Sequence, residues 1–140
     1  MIRFSLFCVL VFTIISCGSQ PVVNQKCWKV SASAYNSLPY QTRPGTDGTI
    51  TAWGDTLNDT IPSIAISRDL LDSGLVHGTM VYIEGYTMPF VVNDKMNKRY
   101  KNKIDLHLGT DVAKARQFGN KKLRICIDVP RKEEDICQET

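Results

Sequence analysis

Two aspartates carry the chemistry that this sequence could perform. Asp94 ends the apolar run 89–94, and Asp105 lies inside the apolar run 103–108. Runs of this kind predict two buried strands whose ends meet at a cleft. A carboxylate in such a place is partly withdrawn from water, which raises its pKa and suits it to proton transfer near neutral pH. The same pattern also fits a plain hairpin with a solvated basic loop.

The rest of the chain predicts the elements that must position these aspartates. Alternating or compact apolar runs indicate about seven short strands, at residues 29–35, 49–54, 63–67, 79–84, 89–94, 103–108 and 123–129, of which 49–54 could instead be a bulge. A helical turn is expected over 68–73, stopped by Gly74, and a helix over 110–118, with Thr110 or Asp111 as N-cap and Gly119 as C-cap. Residues 36–48 form a long loop. Closely spaced strands with few helices favour a small closed barrel of the mainly β class.

The N-terminus has the composition of an export signal. Arg3 precedes the apolar stretch 4–15, which is too short to span a bilayer as a stable anchor. The stretch runs into IISCG, which resembles the bacterial lipobox, where cleavage precedes a cysteine that is then lipidated; here that residue is Cys17. An ordinary secretory signal with an incidental cysteine is the alternative. The predicted organisation is a signal peptide over 1–16, a lipidated tether over 17–26, a folded domain over 27–130 and a tail over 131–140.

The net charge and the cysteine spacing limit which partners and cofactors are expected for this protein. The chain has 17 basic and 14 acidic residues, and a net charge of +3 does not favour a nucleic-acid partner. Export places Cys27, Cys126 and Cys137 in an oxidising compartment, where a disulfide is expected. Cys27 could pair with Cys137, which would hold both ends of the domain, or with Cys126, and the sequence does not decide. The cysteines lack the short paired spacing of metal sites, so neither a metal nor another cofactor is expected.

A set of short motifs follows one order along the chain: SAY at 33–35, TAWG at 51–54, IAIS at 64–67, GTMVYI at 78–83, VND at 92–94, IDL at 104–106 and a final FG at 118–119. This order resembles the bacterial three-aspartate ("3D") domain, which is shared with the membrane-bound lytic transglycosylase A family and related to the RlpA-like barrels. The resemblance covers residues 29–129. The signal and the DKMN motif at 94–97 are also similar to single-domain lipoproteins of Bacteroidetes-type bacteria.

The resemblance implies a six-stranded double-psi β-barrel with one or two short helices and a cleft across one face. It also implies action on peptidoglycan glycan strands. The second and third aspartates of the family match Asp94 and Asp105, and the first falls in the loop 42–48, where Asp47 is the one candidate. In the implied reaction, non-hydrolytic cleavage of an O-glycosyl bond, Asp105 acts as acid and then base and Asp94 supports it. Asp47 or the Thr51 hydroxyl would orient the substrate.

The remaining candidate contacts with the substrate are aromatic and basic. Tyr35 and Trp53 could stack on sugar rings or serve as core residues. Lys95 begins a connector, 95–103, that carries five basic residues and no glycine, whereas the transglycosylases have a glycine-rich loop there. Its charges could attract the carboxylates of peptidoglycan, but charges close to Asp105 would favour the ionised form of that acid. His107 would share the strand face of Asp105 and either assist proton transfer or serve the structure.

We therefore expect a monomeric, lipid-anchored protein of the cell envelope, on the outer membrane and facing the periplasm. Its expected activity is lytic cleavage of peptidoglycan. Two alternatives remain open at this point. One is a non-catalytic peptidoglycan-binding or scaffold module, and the other is an endoglucanase-like hydrolase, which would need a second carboxylate to activate water.

Overall fold

Six strands close into a barrel in the computed structural model, which describes residues 24–38, 45 and 47–130. The strands are β1 (Asn24–Tyr35), β2 (Ser63–Ile66), β3 (Met80–Ile83), β4 (Phe90–Lys95), β5 (Lys103–His107) and β6 (Lys121–Val129). Their order around the barrel is β1-β5-β2-β4-β3-β6, with β1/β5 and β2/β4 parallel and the other pairs antiparallel. The predicted mainly β, six-stranded double-psi barrel is confirmed. The predicted signal peptide, Cys17, Cys137 and the tail 131–140 lie outside the described residues.

One 3₁₀ turn and one short α-helix accompany the barrel, as the sequence predicts. The 3₁₀ turn spans Arg68–Ser73, and Gly74 ends it in the left-handed conformation, at φ 102°. The helix α1 spans Val112–Phe118, and its N-cap Asp111 accepts a hydrogen bond from the Lys114 N–H. A side-chain oxygen at this position satisfies one of the free N–H groups of the first turn.

The predicted strand over 49–54 is wrong. Ile50 makes a single bridge with Thr56, and a turn lies between them. The Gly54 N–H donates to the Thr51 carbonyl, and the Thr51 hydroxyl accepts from the N–H groups of Trp53 and Asp55. Local hydrogen bonds from a threonine side chain compete with strand pairing, and here they close the turn.

Alternate residues of every strand fill the barrel. The buried set is almost entirely aliphatic: Val30, Ala32, Ile64, Ile66, Val81, Ile83, Phe90, Val92, Ile104, Leu106, Ile125 and Ile127. Leu70 and Leu75 from the 3₁₀ region complete this cluster. Burial of this apolar surface is the main force that closes the barrel, and it turns Ser33, Ala65 and Asp105 to the outer face.

A β-bulge places Asp94 on the same outer face as Asp105. Ile64 of β2 pairs with Val92, but the next residue, Ala65, pairs with Asp94, so Asn93 is the extra residue. Val92 points into the core, and strict alternation would point Asp94 inward as well. The extra residue reverses that direction, as bulges do.

The strand β2 lies between the two aspartate-bearing strands. Ala65 is the register partner of Asp94 in β4 and of Asp105 in β5, and Asp105 is in turn the partner of Ser33 in β1. Because β4 and β5 are separated by β2 in the barrel, the alternative of a plain hairpin is wrong. The connector after Lys95 instead crosses the end of β2, where the Met96 N–H donates to the Ile66 carbonyl and the Ser67 N–H donates to the Lys103 carbonyl.

A disulfide joins β1 to β6 through Cys27 and Cys126. The two residues are direct register partners with Cα atoms 4.1 Å apart, and the bond spans 99 residues of sequence. The structure thus selects one of the two pairings that the sequence leaves open. Within the described residues, no helix has the length and apolar character needed to cross a bilayer.

Candidate functional site

A cavity of about 230 Å³ opens on the outer face of the barrel where the two aspartates lie. The floor comes from β1, β2, β4 and β5, and the connector that follows β4 forms a wall. The lining residues are Tyr35, Ala65, Asp94, Lys95, Met96, Asn97, Tyr100 and Asp105. Four of the predicted site residues therefore share this cavity: Asp94, Asp105, Tyr35 and Lys95.

Asp105 is half-buried in the middle of β5. The Ser33 hydroxyl donates a hydrogen bond of 2.8 Å to its Oδ1. Burial raises the pKa of the Asp105 carboxyl and the charge of Asp94 adds to the rise, while the Ser33 bond and the charge of Lys103 oppose it. The net direction is upward, so Asp105 keeps its proton to a higher pH than an ordinary aspartate. No cation of the described residues lies within salt-bridge distance of its carboxylate.

Two backbone groups hold the Asp94 carboxylate. Its Oδ1 accepts hydrogen bonds from the Ala52 N–H at 2.7 Å and from the Lys95 N–H at 2.8 Å. The Ala52 bond ties the turn that follows Thr51 to the edge of the cavity. Since both bonds converge on one oxygen, the orientation of Asp94 is set by the backbone rather than by a mobile side chain.

Tyr35 closes the cavity at the end of β1. Its hydroxyl is buried and has no hydrogen-bond partner among the described residues. Burial raises its pKa, and the nearby charges of Asp94 and Asp105 raise it further, so the phenol stays protonated. A buried donor without a partner is costly, and an oxygen-rich ligand in the cavity would supply the missing acceptor.

Lys95 and Trp53 extend the site beyond the cavity. The Lys95 ammonium lies 4.6 Å from the centre of the Trp53 ring, within the range of a cation–π contact. Trp53 also contacts the His77 ring, at 5.1 Å between centroids, and His77 pairs with Asp55. Trp53 is half-buried and does not line the cavity, so its predicted stacking on a sugar would require a ligand longer than the cavity.

Besides Trp53, two more of the predicted substrate-contacting or catalytic residues lie outside the cavity, Asp47 and Thr51. Asp47 is exposed, and its Oδ1 accepts hydrogen bonds from the N–H and hydroxyl of Thr49, which lower its pKa. Thr51 is buried, and its hydroxyl serves the turn described above. Both residues shape the loop before β2, and neither is brought next to Asp105.

His107 lies two residues after Asp105 on β5, and its ring contacts that of Tyr35 at 5.3 Å between centroids, but it does not line the aspartate cavity. Its ring is buried, its Nε2 lies 3.2 Å from the Ser37 hydroxyl, and burial lowers its pKa despite the opposing charge of Asp59. It lines a separate cavity of about 390 Å³ rather than the aspartate cavity. The structural alternative for His107 therefore fits its surroundings.

Sequence reasoning missed three residues of the site: Ser33, Tyr100 and the bulged Asn93. Ser33 bonds the acid, Tyr100 lines the cavity, and Asn93 sets the direction of Asp94. A signal for Tyr100 was available, since it is the one aromatic residue of the basic connector. Within the ranges that the structure describes, no three His, Cys, Asp or Glu side chains are grouped so as to hold a metal ion.

Fold and site together define a mainly β barrel with two carboxylates in an outward-facing cavity. No protein-family model and no curated protein matches the sequence. Two solved structures that are similar come from the expansin of Clavibacter michiganensis, one of the apo protein and one of a mutant in complex with cellohexaose. Both have a TM-score of 0.45, with identities of 16% and 14%, and each alignment covers 76% of this chain and 52% of the other. The chain thus spans about half the length of these expansin structures.

Replacing Asp105 with asparagine is expected to stabilise the fold at neutral pH. The pKa of Asp105 is higher in the folded protein than in the unfolded chain. The stability that this difference contributes is therefore present below the pKa of an ordinary aspartate, and it is lost as pH rises through the pKa in the folded protein. Asparagine does not ionise and still accepts the Ser33 hydrogen bond. The difference in unfolding free energy between variant and wild type should therefore grow from pH 3 to pH 7 in urea titrations.

The matched control is Asp47→Asn, for which the opposite sign is expected. The pKa of Asp47 is lowered in the folded protein, so its contribution is present above the ordinary pKa and is lost as pH falls. That variant should lose stability at neutral pH and approach the wild type in acid. A pH-independent difference for Asp105→Asn would show that the carboxyl is not perturbed by folding.

Proposed function

We propose that the chain binds a polysaccharide strand in the cavity of Asp94 and Asp105. The observation that carries the proposal is the set of polar groups around this opening: a half-buried acid, a carboxylate held by two backbone N–H groups, and the unpartnered hydroxyl of Tyr35. A cavity of about 230 Å³ is smaller than the usual range of roughly 300–1,000 Å³ for sites that enclose a ligand. It suits one unit of a chain that continues along the surface.

The polysaccharide in this proposal is the glycan strand of peptidoglycan. The support is the resemblance of the ordered motifs to the three-aspartate domain, together with the predicted signal sequence, which would direct the protein to the cell envelope. Trp53 lies beside Lys95, which lines the cavity, so a bound strand that continues past Lys95 would next meet Trp53.

A second candidate function is cleavage of that strand, and the raised pKa of Asp105 favours it. Asp105 would donate its proton to the glycosidic oxygen as the bond to the anomeric carbon breaks. The resulting carboxylate would then take the proton of the sugar's own C6 hydroxyl, whose oxygen bonds to the anomeric carbon and closes a 1,6-anhydro ring. One carboxyl group serves as acid and base, and no water is consumed. The charge of Asp94 raises the pKa of this acid and so helps it to stay protonated.

Incubation with purified sacculi separates these functions. Retention of the protein on sacculi in a sedimentation assay, without soluble products, indicates binding alone. Release of 1,6-anhydro-muropeptides, identified by mass, indicates non-hydrolytic cleavage, whereas products with reducing ends indicate hydrolysis. A protein that neither sediments with sacculi nor releases products would refute the proposed function.

The proposed location in the envelope depends on lipidation of Cys17. Replacing Cys17 with serine is expected to move the protein from the membrane fraction to the soluble fraction, because a bilayer anchor of two or more acyl chains would be lost. The measurement is fractionation with metabolic labelling by a fatty-acid analogue. Ser16→Ala is the neighbouring control and should remain membrane-bound and labelled. An unlabelled wild type would instead support the ordinary secretory signal.

A further inference from the structure

The connector beside the cavity carries positive charge that the described part of the protein does not neutralise. We call residues 95–103 the cationic loop, after Lys95, Lys98, Arg99, Lys101 and Lys103. The salt bridges among the described residues are His77–Asp55 and Lys114–Asp111, and neither involves this loop. Lys98, Arg99 and Lys101 are all exposed. The charge of Lys101 acts on Asp69 and that of Lys103 on Asp105, but no cation of the loop forms a salt bridge with a described carboxylate, so these charges can still attract an anionic ligand.

Hydrogen bonds at both ends hold the cationic loop in one place. At the start, the Met96 N–H donates to the Ile66 carbonyl at 2.8 Å, and Met96 is buried. At the end, the Asn102 N–H donates to Asp69 at 2.8 Å and its side chain donates to the Lys29 carbonyl at 3.2 Å. In the middle, Tyr100 lines the cavity. A loop fixed at both ends loses less conformational freedom when it binds a ligand.

Two of the loop cations lie against Tyr100. The Arg99 guanidinium is 4.9 Å and the Lys103 ammonium 5.1 Å from the ring centre, and Arg99 also donates to the Tyr100 hydroxyl at 2.9 Å. These contacts keep both charges at the edge of the aspartate cavity. They also occupy the aromatic ring, so the loop presents cations rather than a free stacking surface.

Tertiary folding brings further cations to the same end of the barrel. Arg68 donates to the Met96 carbonyl, and the Lys122 ammonium bonds the Ser31 hydroxyl next to β5. Asp69, Asp94 and Asp105 lie in the same region, against seven basic side chains, and Asp72 follows in the 3₁₀ turn. Because the net charge of the whole chain is only +3, the excess positive charge is concentrated here.

We infer that the cationic loop is a binding site for carboxylates carried on the polysaccharide strand. This inference rests on the proposed function, since it concerns the same bound strand. The sugar ring would enter the cavity, where hydroxyl and glycosidic oxygens meet Asp105 and Tyr35. The carboxylate substituents would lie outside the cavity floor and against Lys98, Arg99 and Lys101. The site thus selects an acidic polysaccharide over a neutral one of similar backbone.

The test compares three ligands and three proteins. The ligands are intact sacculi, sacculi whose carboxylates have been converted to amides, and chitin, a neutral polymer. The proteins are the wild type, the triple variant Lys98→Gln/Arg99→Gln/Lys101→Gln, and a control triple variant, Lys114→Gln/Arg116→Gln/Arg124→Gln. The control removes the same charge from exposed positions on α1 and β6. Thermal unfolding checks that each variant is folded.

The loop variant is expected to bind intact sacculi about tenfold more weakly than the wild type at low salt. Each of the three exposed charge pairs that it loses contributes modestly to the binding free energy. That difference should shrink towards 0.5 M salt, because screening shortens the reach of these charges. The control variant should bind as the wild type does. Amidated sacculi and chitin should bind the wild type about as weakly as intact sacculi bind the loop variant.

Several results would overturn the inference. If the loop variant and the wild type bind sacculi equally, or if amidation has no effect, the loop does not recognise carboxylates, although the proposed function stands. If the wild type bound double-stranded DNA as tightly as it binds intact sacculi, the loop would be a surface that binds polyanions without selecting carboxylates. If the wild type binds no polysaccharide, the proposed function itself fails. A further arm uses strands stripped of stem peptides: retained binding assigns the carboxylates to the sugars, and lost binding assigns them to the peptides.

Discussion

Asp105→Asn is expected to lower the release of 1,6-anhydro-muropeptides from sacculi by a factor of about 10²–10⁴, the usual contribution of a general acid or base. Asparagine fits the same space and still accepts the Ser33 hydroxyl, but it has no proton to donate. Binding to sacculi should change little, because the cavity keeps its shape. The measurement is the initial rate of product release, quantified by mass, next to sedimentation with sacculi.

The surroundings of Asp105 predict the effects of two further variants. Ser33→Ala removes a bond that lowers the pKa of Asp105, so the alkaline limb of the pH profile should move to higher pH. Asp94→Asn removes a charge that raises it, so that limb should move to lower pH. Asp128→Asn, on the exposed side of β6, is the control and should leave the profile unchanged.

Two outcomes would contradict the catalytic role. If Asp105→Asn still releases anhydro products at the wild-type rate, another group is the acid. If the wild type releases none but sediments with sacculi, the protein binds the strand without cleaving it. In the second case the primary proposal stands and the second candidate function falls.

Loss of the Cys27–Cys126 disulfide is expected to lower the free energy of unfolding by about 2–5 kcal/mol, the usual cost of removing a native disulfide from a small secreted domain. The bond spans 99 residues, so in the chain-entropy view it restricts a large part of the unfolded chain. The variant is the double serine substitution Cys27→Ser/Cys126→Ser, and the measurement is urea unfolding of the oxidised protein.

Cys137→Ser is the matched control for the disulfide. It should leave the unfolding free energy unchanged, and peptide mapping without reduction should still recover the peptides of Cys27 and Cys126 as one linked species. If Cys137→Ser destabilised the protein while Cys126→Ser did not, the pairing of Cys27 with Cys137 would be present instead.

Much of the barrel follows from local patterns in the sequence. A compact apolar run located β2 to within one residue, and alternation located β6 from its third residue onwards. Gly74 and Gly119 marked helix ends at the positions observed, and Asp111 was one of two candidates for the N-cap. These features depend on residues close together in the chain, so the sequence reports them directly. There are two exceptions: β1 begins at Asn24 rather than at Lys29, and the hydroxyl of Thr51 outweighed β propensity in the turn after Ile50.

Only some of the residues of the site could be predicted from local patterns in the sequence. Asp94 and Asp105 could be selected because polar residues interrupt apolar runs, and the motif order pointed to the same pair. Asp47 and His107 could not be judged, because their relation to the cavity depends on loops and cavities that no local pattern describes. Asp47 instead caps a turn, and His107 lines the separate cavity.

The sequence by itself determined the place of six of the seven predicted strands, the helix ends, the choice of Asp94 and Asp105 as candidates and the positive charge of the connector, because each is encoded by neighbouring residues. Only the tertiary structure decided that β2 separates β4 from β5, that the bulge at Asn93 turns Asp94 outward, and that Cys27 faces Cys126. All three are matters of register between distant strands. A shift of one residue in register reverses the direction of every side chain, and the packing of the closed barrel as a whole selects the register.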